Sequence, residues 1–405
     1  MTQIDTVINE AVFAAGSSPT IALMDRARIL KQSGRDIVSL AGGEPDMSPS
    51  QPGLQAAIDR LASGQVSYGP VAGLPELRQA VARGIKRRHG LNYLVQNILI
   101  GVGAKQVLAE ALMVATQPRD EIIIPAPYWV SYPAMARLAG GSPVIVQTSA
   151  KNYFKITPEE LRAVLTPRSR WLVINSPANP TGTVYSKREL AEIARVVADH
   201  PRLLVLSDDI YEDILFDGHK HANIVGAEPG LLDRSVLCSG FSKGHAMTGL
   251  RVGYAAAPDW LIGPMINLQS HLTSGGCVVG QAAATMALMK AEAFPAQCVQ
   301  AYERRRRLGL EILQRSDRIS VFPSQGAFYF WIDVSGLIGN RSPGGHTMMS
   351  DIEVAESLLE SGLAVVPGSA FGLSPYLRMS FAAADDLVRT GCERLITFCH
   401  DCIAG

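Results

Sequence analysis

The sequence has little charge and no excess of either sign. Charged residues make up 18% of the 405 residues, and 37 Lys and Arg residues balance 37 Asp and Glu residues. Nucleic acids and anionic membranes attract proteins through an excess of positive charge, so we expect neither as a main partner. No run of about 18 apolar residues is present either, so the sequence predicts no transmembrane helix.

The sequence also lacks the marks of secretion. Residues 1–5 do not show the basic and then apolar pattern of a signal peptide, so we expect a cytoplasmic protein. The six cysteines are scattered, and most stand in surroundings that are typical of reduced thiols. Cys399 and Cys402 have C-x-x-C spacing on a predicted C-terminal helix. No second pair of ligands accompanies them, and we predict no metal site.

Between about residue 97 and residue 260, apolar strand-like segments alternate with helical segments. The predicted strands are residues 98–100, 122–124, 143–146, 171–175, 203–207 and 236–238. Their nearly continuous apolar character is typical of a mostly parallel sheet that is covered by helices on both faces. The sequence therefore predicts an α/β protein with a large domain built on such a sheet.

The rest of the chain predicts a smaller α+β domain. We predict strands at residues 328–332, 363–366 and 376–381 and a helix near 351–361. A helical arm over residues 1–34 and a short strand at 37–40 precede the large domain. The predicted domains are residues 1–48 (arm and part of the small domain), 49–290 (large domain) and 291–405 (small domain). The basic run 304–307 is interpreted as a solvated helix face.

Residues 239–254 place a lysine in a turn of small residues, ahead of an arginine. Lys243 lies between Ser242 and Gly244, so a flat ligand can approach its amine. Such a lysine can form a Schiff base with an aldehyde, and Arg251 can hold a phosphate through a bidentate fork. Pyridoxal 5'-phosphate (PLP) carries both groups. The alternative is an ordinary loop with two surface cations, and this stretch alone does not decide between the two.

Polar or aromatic residues follow the ends of successive predicted strands. They are Trp129, Asn179, Asp208, Tyr211 and Lys243. In open α/β sheets, ligands bind at the carboxyl ends of the strands. Each residue alone fits an ordinary role in packing, in a turn or in a helix cap. Together they predict a site on one rim of the sheet.

Two glycine-containing turns are further candidates. Gly43 stands in a turn over residues 41–46, where a glycine lets the backbone approach a ligand closely. Gly103, Ala104 and Lys105 precede a predicted helix, whose first amides can bind a phosphate. The pattern is not a Rossmann fingerprint, because Gln106 stands at the third glycine position, and it is not a P-loop. Alone, each turn favours a plain structural role.

Taken together, these motifs resemble the class I/II aminotransferases, which are PLP-dependent enzymes of fold type I. The resemblance runs from about residue 37 to residue 381. Any one motif is weak, but six in this order are a strong signal. The motifs are Gly43-Glu44-Pro45-Asp46, Tyr68 with Gly73-Leu74-Pro75-Glu76-Leu77-Arg78, Asn179-Pro180-Thr181-Gly182, Asp208-Asp209-Ile210-Tyr211, Ser242-Lys243 with Arg251-Val252-Gly253-Tyr254, and Arg378.

The resemblance implies roles at the ring of PLP. Lys243 would hold the cofactor covalently and would move the proton at the substrate Cα. Asp208 would face the pyridine nitrogen and favour its protonated form. Asn179 and Tyr211 would hydrogen-bond the 3'-oxygen of the ring, and Trp129 would stack on the ring.

The resemblance also implies a phosphate site and a substrate site. The phosphate groups would be Ser242, Arg251 and the amides around Gly103, Ala104 and Lys105. Arg378 would pair bidentately with the substrate α-carboxylate, with the backbone at Gly43 and the side chain of Asn179 beside it.

Two positions depart from the family pattern. Many relatives carry a hydroxyl residue three positions before the lysine, where this chain has Gly240, and Ser239 could replace it only if the backbone shifted. Aspartate enzymes bring an arginine from the partner subunit to the distal carboxylate. Ser270 aligns with that position here, next to His271. A dicarboxylate would then need another cation, or the substrate is not a dicarboxylate.

The resemblance implies a PLP-dependent aminotransferase that moves an amino group between an L-amino acid and a 2-oxo acid by a ping-pong mechanism. It also implies a homodimer with shared active sites, in which Tyr68 reaches the phosphate of the partner subunit. One alternative keeps PLP in a lyase, such as a C–S lyase, or in a synthase. The others are a PLP-binding regulatory module, which would need a DNA-binding segment, and an α/β protein without PLP.

Overall fold

The computed structural model describes residues 9–16 and 19–404. The strands in this part of the chain are β1 (Val38–Ser39), β2 (Ile98–Val102), β3 (Glu121–Ala126), β4 (Ser142–Gln147), β5 (Ser169–Asn175), β6 (Leu204–Asp208), β7 (Ser235–Gly240), β8 (Val252–Ala256), β9 (Ser320–Phe322), β10 (Tyr329–Asp333), β11 (Leu363–Ala364), β12 (Val366–Pro367) and β13 (Tyr376–Ser380).

The helices of the same part are α1 (Glu10–Ala15), α2 (Pro19–Gln32), α3 (Gln51–Ala62), α4 (Pro75–His89), α5 (Ala104–Ala115), α6 (Ser131–Leu138), α7 (Pro158–Val164), α8 (Lys187–Ala198), α9 (Ile224–Ala227), α10 (Asp259–Leu272), α11 (Val278–Lys290), α12 (Phe294–Leu313), α13 (Asp351–Glu360) and α14 (Asp385–Asp401). None of these described helices has the length and apolar character that crossing a bilayer would require.

The large sheet has the strand order β2-β8-β7-β6-β5-β3-β4. Strands β3 to β7 run parallel to one another, whereas β8 is antiparallel to both of its neighbours. The prediction of a mostly parallel sheet is confirmed, but it did not include the reversed strand. A parallel neighbour needs a long crossover, usually a helix. Residues 241–251 between β7 and β8 contain no helix, so the chain returns antiparallel.

Helices cover both faces of this sheet, as predicted. Side chains of β5 alternate between the two faces, since successive side chains of a strand point to opposite sides. Leu172 and Ile174 join the core beneath α4, α8 and α11. Trp171 and Val173 join the core beneath α5, α6 and α10. Burial on both sides explains why the strands are apolar without alternation.

A second, antiparallel sheet has the order β12-β13-β10-β9. Strand β1 pairs in parallel with β11, with Val38 opposite Leu363, so the early strand lies beside the C-terminal part of the chain. The strand that we predicted over residues 363–366 is divided into β11 and β12. The domain boundaries at residues 48 and 290 stay predictions.

The interpretation of the basic run 304–307 was wrong for its two central residues. Arg305 and Arg306 are each 6% exposed. Arg305 pairs with Asp46 and Asp385, and Arg306 pairs with Asp217. Buried cations need such partners. Here the partners are acidic residues that are distant in the sequence, so the local sequence pattern does not reveal the pairing.

The C-x-x-C pair lies at the end of α14, in apolar surroundings. Both Cys399 and Cys402 are buried, and burial raises the pKa of the Cys399 thiol to about 12. Arg318 donates hydrogen bonds to the carbonyl oxygens of both residues. A thiol with so high a pKa is not a reactive one.

Candidate active site

A cavity of about 430 Å³ opens at the carboxyl ends of β3, β5, β6 and β7. Its lining includes every residue that the sequence analysis assigned to the site except Gly103 and Tyr68. The predicted residues that line it are Gly43, Ala104, Lys105, Trp129, Asn179, Asp208, Tyr211, Ser242, Lys243, Arg251 and Arg378. The convergence on one rim therefore follows from parallel strands that end on the same side.

Lys243 lies in the connection between β7 and β8, with its amine in the cavity. Its Nζ donates a hydrogen bond to the carbonyl oxygen of Gly43. Burial lowers the pKa of Lys243 to about 8, helped by the positive charges of Arg378 and Arg251. An amine with this pKa is partly neutral near pH 8, and only the neutral form is a nucleophile or a base.

Asp208 is the last residue of β6 and is 3% exposed. Its Oδ2 accepts a hydrogen bond of 2.6 Å from the hydroxyl of Tyr132, and its Oδ1 accepts one of 3.3 Å from the amide of Ile210. Burial raises the pKa of Asp208 to about 6, although both hydrogen bonds oppose the rise. The site thus holds a carboxylate that is ionised near neutral pH and ready to pair with a cation.

Two tyrosines meet on the side of the cavity that the small antiparallel sheet forms. The hydroxyls of Tyr211 and Tyr329 lie 2.7 Å apart. Burial, with the nearby Tyr329 hydroxyl, raises the pKa of Tyr211 well above its ordinary value. Both phenols are therefore neutral at physiological pH. One of them donates to the other, so the pair has one hydroxyl hydrogen left to donate into the cavity.

Arg378 on β13 is buried in the cavity wall. Its Nη1 donates to Asn179 Oδ1 at 3.0 Å and its Nη2 to the carbonyl oxygen of Ala41 at 2.6 Å. Its Nε is buried and has no hydrogen-bond partner among the described residues. The guanidinium also lies 4.5 Å from the ring centroid of Tyr329. A buried guanidinium whose partners are all neutral suits a carboxylate ligand.

At the opposite end of the cavity, Arg251 lies against the start of α5. Gly103 immediately precedes α5, with φ of 76°, and a Cβ there would lie 2.5 Å from Nη2 of Arg251. Only glycine lets this guanidinium lie against the start of the helix. Helix N-termini attract anions through their free amides and the helix dipole. Ser242 and Lys105 line the same region.

The structure gives a physical reason for the first departure from the family pattern. A Cβ on Gly240 would lie 2.9 Å from the Cα of Gly253 and 3.0 Å from the Val252 carbonyl oxygen, because β7 and β8 pair closely there. Ser239 does not replace the missing hydroxyl, since its Oγ donates to Glu212 at 3.0 Å. Ser242 and Arg251 stay as the polar side chains from this connection.

Tyr68 lies away from the cavity of its own chain. It precedes α4 and is 92% exposed. Ser270, at the second departure, lies in α10, where its hydroxyl donates to the carbonyl oxygen of Asn267. Neither residue contributes to the site within one chain.

A buried polar cluster lies behind the cavity. Glu212 accepts hydrogen bonds from Arg88, His89, Ser239 and Tyr254, and His221 lies beside it. The Nε2 of His221 is 3.1 Å from the Ser176 carbonyl oxygen. Because a carbonyl oxygen only accepts, this nitrogen carries a hydrogen, and the Nδ1 of the same ring has no hydrogen-bond partner among the described residues. The cluster fits a structural ion network.

Residues 35–395 match the family model for aminotransferase class I and II. The chain belongs to this family. An aspartate/prephenate aminotransferase of Cereibacter sphaeroides is 44% identical over 383 residues, which cover 94% of this chain and 96% of that protein. An aspartate aminotransferase of Rhizobium meliloti is 37% identical over 404 residues, covering 98% of each chain. The predicted family and the aminotransferase activity are confirmed.

Solved structures of similar proteins confirm the fold. The crystal structure of the aspartate aminotransferase from Rhizobium meliloti matches this aminotransferase with a TM-score of 0.94 at 36% identity, over 98% of this chain and 99% of that chain. The aspartate aminotransferase from Thermus thermophilus with maleate has a TM-score of 0.90 at 36% identity, over 96% and 99% of the two chains. This aminotransferase therefore has the fold type I architecture.

Sequence reasoning missed two tyrosines of the site. Tyr132 is the second residue of α6, and Trp129 precedes that helix. The Tyr132 amide donates to the carbonyl oxygen of Trp129 at 3.0 Å, and this turn brings the two side chains together. Tyr329 lies in a predicted strand. Which of its side chains face the cavity depends on strand register, and the sequence does not determine that register.

Proposed function

We propose that this aminotransferase uses PLP at the cavity and transfers the amino group of an acidic amino acid to a 2-oxo acid. The observation that carries the proposal is the joint lining of one cavity by a half-buried lysine, a buried carboxylate and a buried arginine without an acidic partner. These groups fit the aldehyde, the ring nitrogen and a substrate carboxylate. When bound, PLP supplies the ring that withdraws electrons from the substrate Cα.

We assign the following roles to the residues around the cofactor ring. Lys243 holds the cofactor aldehyde and, when released, moves the proton at the substrate Cα. Asp208 keeps a negative charge at the ring nitrogen, and Tyr132 stabilises that charge. Tyr211 and Asn179 donate hydrogen bonds to the ring oxygen, and Trp129 packs on the ring, as the family resemblance implies.

The two ends of the cavity fit the two remaining anionic groups. Arg251, Ser242 and the start of α5 from Gly103 to Lys105 would bind the phosphate, because they present a guanidinium, a hydroxyl and helix amides together. Arg378 would bind the α-carboxylate, with Asn179 and the Gly43 backbone beside it.

We propose that Lys105 reads the distal carboxylate of the substrate. Its Nζ lines the cavity and lies 4.9 Å from the centroid of the Trp129 ring. Burial and the charge of Arg251 lower its pKa, and an anionic ligand would relieve both effects. Ser270 cannot supply this charge, and the similar proteins named above include aspartate aminotransferases.

The working unit would be a homodimer with shared sites. Tyr68 is 92% exposed and large apolar side chains at Ile58, Leu61 and Val66 nearby in the chain are more than half exposed. Exposed apolar side chains in one region are typical of an interface. A partner subunit that covers them would receive Tyr68 at its phosphate site. The six free cysteines also fit the reducing cytoplasm that we propose as its location.

The assignment of Lys243 is tested by reduction. The purified protein is treated with borohydride and digested, and the labelled peptide is identified, with Lys243→Ala as control. We expect the label on the peptide that contains Lys243. Label on Lys105 in the wild-type protein would contradict the assignment. Ammonia release from an amino acid without an oxo acid would indicate a lyase instead.

The role of Lys105 is tested by substrate selectivity. We expect Lys105→Met to lower kcat/KM for aspartate about ten- to a hundredfold and to change it little for alanine, since a charge-assisted bond of about 1.5–3 kcal/mol is lost only with the dicarboxylate. An equal loss for both substrates would place Lys105 at the phosphate or in the packing.

A further inference from the structure

We propose that Arg305 is a positioning residue for the substrate carboxylate, a role that rests on the proposed function. It acts through the Gly43 loop, which we define as residues 41–46. The loop forms one wall of the cavity, and its backbone contacts the two cations that the reaction requires. Arg305 itself lies on α12 and does not line the cavity.

The Gly43 loop is in contact with both cations. The carbonyl oxygen of Ala41 accepts a hydrogen bond from Arg378, and the carbonyl oxygen of Gly43 accepts one from Lys243. The loop also lies tightly against the wall behind it, because a Cβ on Gly43 would be 2.5 Å from the hydroxyl of Tyr329. A small displacement of this loop would therefore move the partners of both cations.

All three nitrogens of the Arg305 guanidinium donate to carboxylates, and two of them bind Asp46 at the end of the Gly43 loop. Its Nη1 and Nη2 each donate to one oxygen of Asp46 at 2.8 Å, and its Nε donates to Asp385 at 2.8 Å. The bidentate pair fixes the orientation of the carboxylate as well as its distance. Because Asp385 begins α14, the loop is tied to two helices at once. Lysine cannot reproduce this geometry with a single ammonium.

Arg306, the next residue of α12, provides a matched control. It is as buried as Arg305, at 6% exposed. It also pairs with a carboxylate, at 2.7 Å from Asp217, and its guanidinium lies 5.2 Å from the centroid of the Phe216 ring. Among the described residues it forms no hydrogen bond or ion pair with the Gly43 loop. Replacing either arginine should lower stability, but only replacing Arg305 should also displace the Gly43 loop. Comparing the two variants therefore distinguishes these effects.

The test compares Arg305→Met with Arg306→Met in the cofactor-loaded protein. Maleate, a dicarboxylate that does not react, is the probe, and its Kd is measured by calorimetry beside the thermal midpoint and the cofactor content. We expect both variants to lower the midpoint. Only Arg305→Met should raise the Kd of maleate, about ten- to a hundredfold, because misplacing binding groups by about 1 Å has effects of this size. Its KM for aspartate should rise more than its kcat falls.

Equal Kd values in the two variants, or an unchanged Kd in Arg305→Met, would overturn the inference. If Arg305→Met does not fold, Asp46→Asn decides, because it removes one oxygen of the fork's partner and leaves the pair with Asp385 intact. We expect a smaller rise in Kd for it, and no rise would again overturn the inference. A wild-type protein that binds neither maleate nor amino acids would instead refute the proposed function itself.

Discussion

The hydrogen bond from Tyr132 to Asp208 makes a direct prediction about pH dependence. In the function that we propose, Asp208 is ionised and pairs with a protonated ring nitrogen, so activity should fall at acidic pH as this carboxylate is protonated. The bond stabilises the charged form, and removing it raises the pKa of the carboxyl group. We expect Tyr132→Phe to move the acidic limb of the kcat/KM profile to higher pH.

The size of the shift follows from the geometry. The bond is 2.6 Å long and both residues are buried. A hydrogen bond to a charged group contributes about 1.5–3 kcal/mol, and one pKa unit corresponds to about 1.36 kcal/mol, so the shift should be about one to two units. In the cofactor-free protein the pKa is about 6, so the ionised fraction at pH 7 should fall from about nine-tenths to between about a half and a tenth. A cation paired with Asp208 lowers the pKa in both proteins and leaves the direction of the shift unchanged.

The assay is kcat/KM for aspartate between about pH 5 and pH 9, in wild type and variant. The loss in Tyr132→Phe should be largest below neutral pH and should recover in alkaline buffer. Tyr185→Phe is the control, because Tyr185 is equally buried and accepts a bond from the Ile156 amide, away from Asp208. A loss in Tyr132→Phe that is the same at every pH would refute the reasoning.

Two further predictions concern Asp208 and Tyr68. Between the ordinary pKa of 3.8 and the folded pKa of about 6, the folded state binds more protons than the unfolded state, so stability falls as pH rises through this window. Asp208→Asn should therefore stabilise the cofactor-free protein against denaturant by up to about 3 kcal/mol at pH 8 and by little at pH 4, and a pH-independent effect would contradict this. Lys243→Ala and Tyr68→Asp should each be nearly inactive, and hybrids of the two should regain activity at one site. Verified hybrids without activity would refute the shared site.

The sequence was most informative where local chemistry and strand ends coincide. Lys243, Asp208 and Asn179 could be assigned to one rim, because parallel strands place their carboxyl ends together. The helix bounds of α4 were also predictable, since Pro75 suits its first position and Gly90 ends it with φ of 72°. These features depend on neighbours in the chain.

The missed features depend on contacts between distant residues. The burial of Arg305 requires Asp46 and Asp385, at separations of 259 and 80 residues. The reversal of β8 depends on the length and content of the connection before it, whereas its own composition matches that of the parallel strands. The contact of Tyr132 with Asp208 requires knowing how α6 packs on β6. A single sequence carries no direct record of such pairings.

The reversal of β8 places Lys243 and Arg251 in one short connection between two paired strands. The register of β7 and β8 fixes both ends of this connection, with Gly240 opposite Gly253. The distance between amine and guanidinium is thus set by the hairpin rather than by the packing of separate elements. Surface loops usually tolerate insertions. The connection between β7 and β8 should not tolerate an insertion. One added residue would change the distance between Lys243 and Arg251, and a ligand that contacts both would no longer fit.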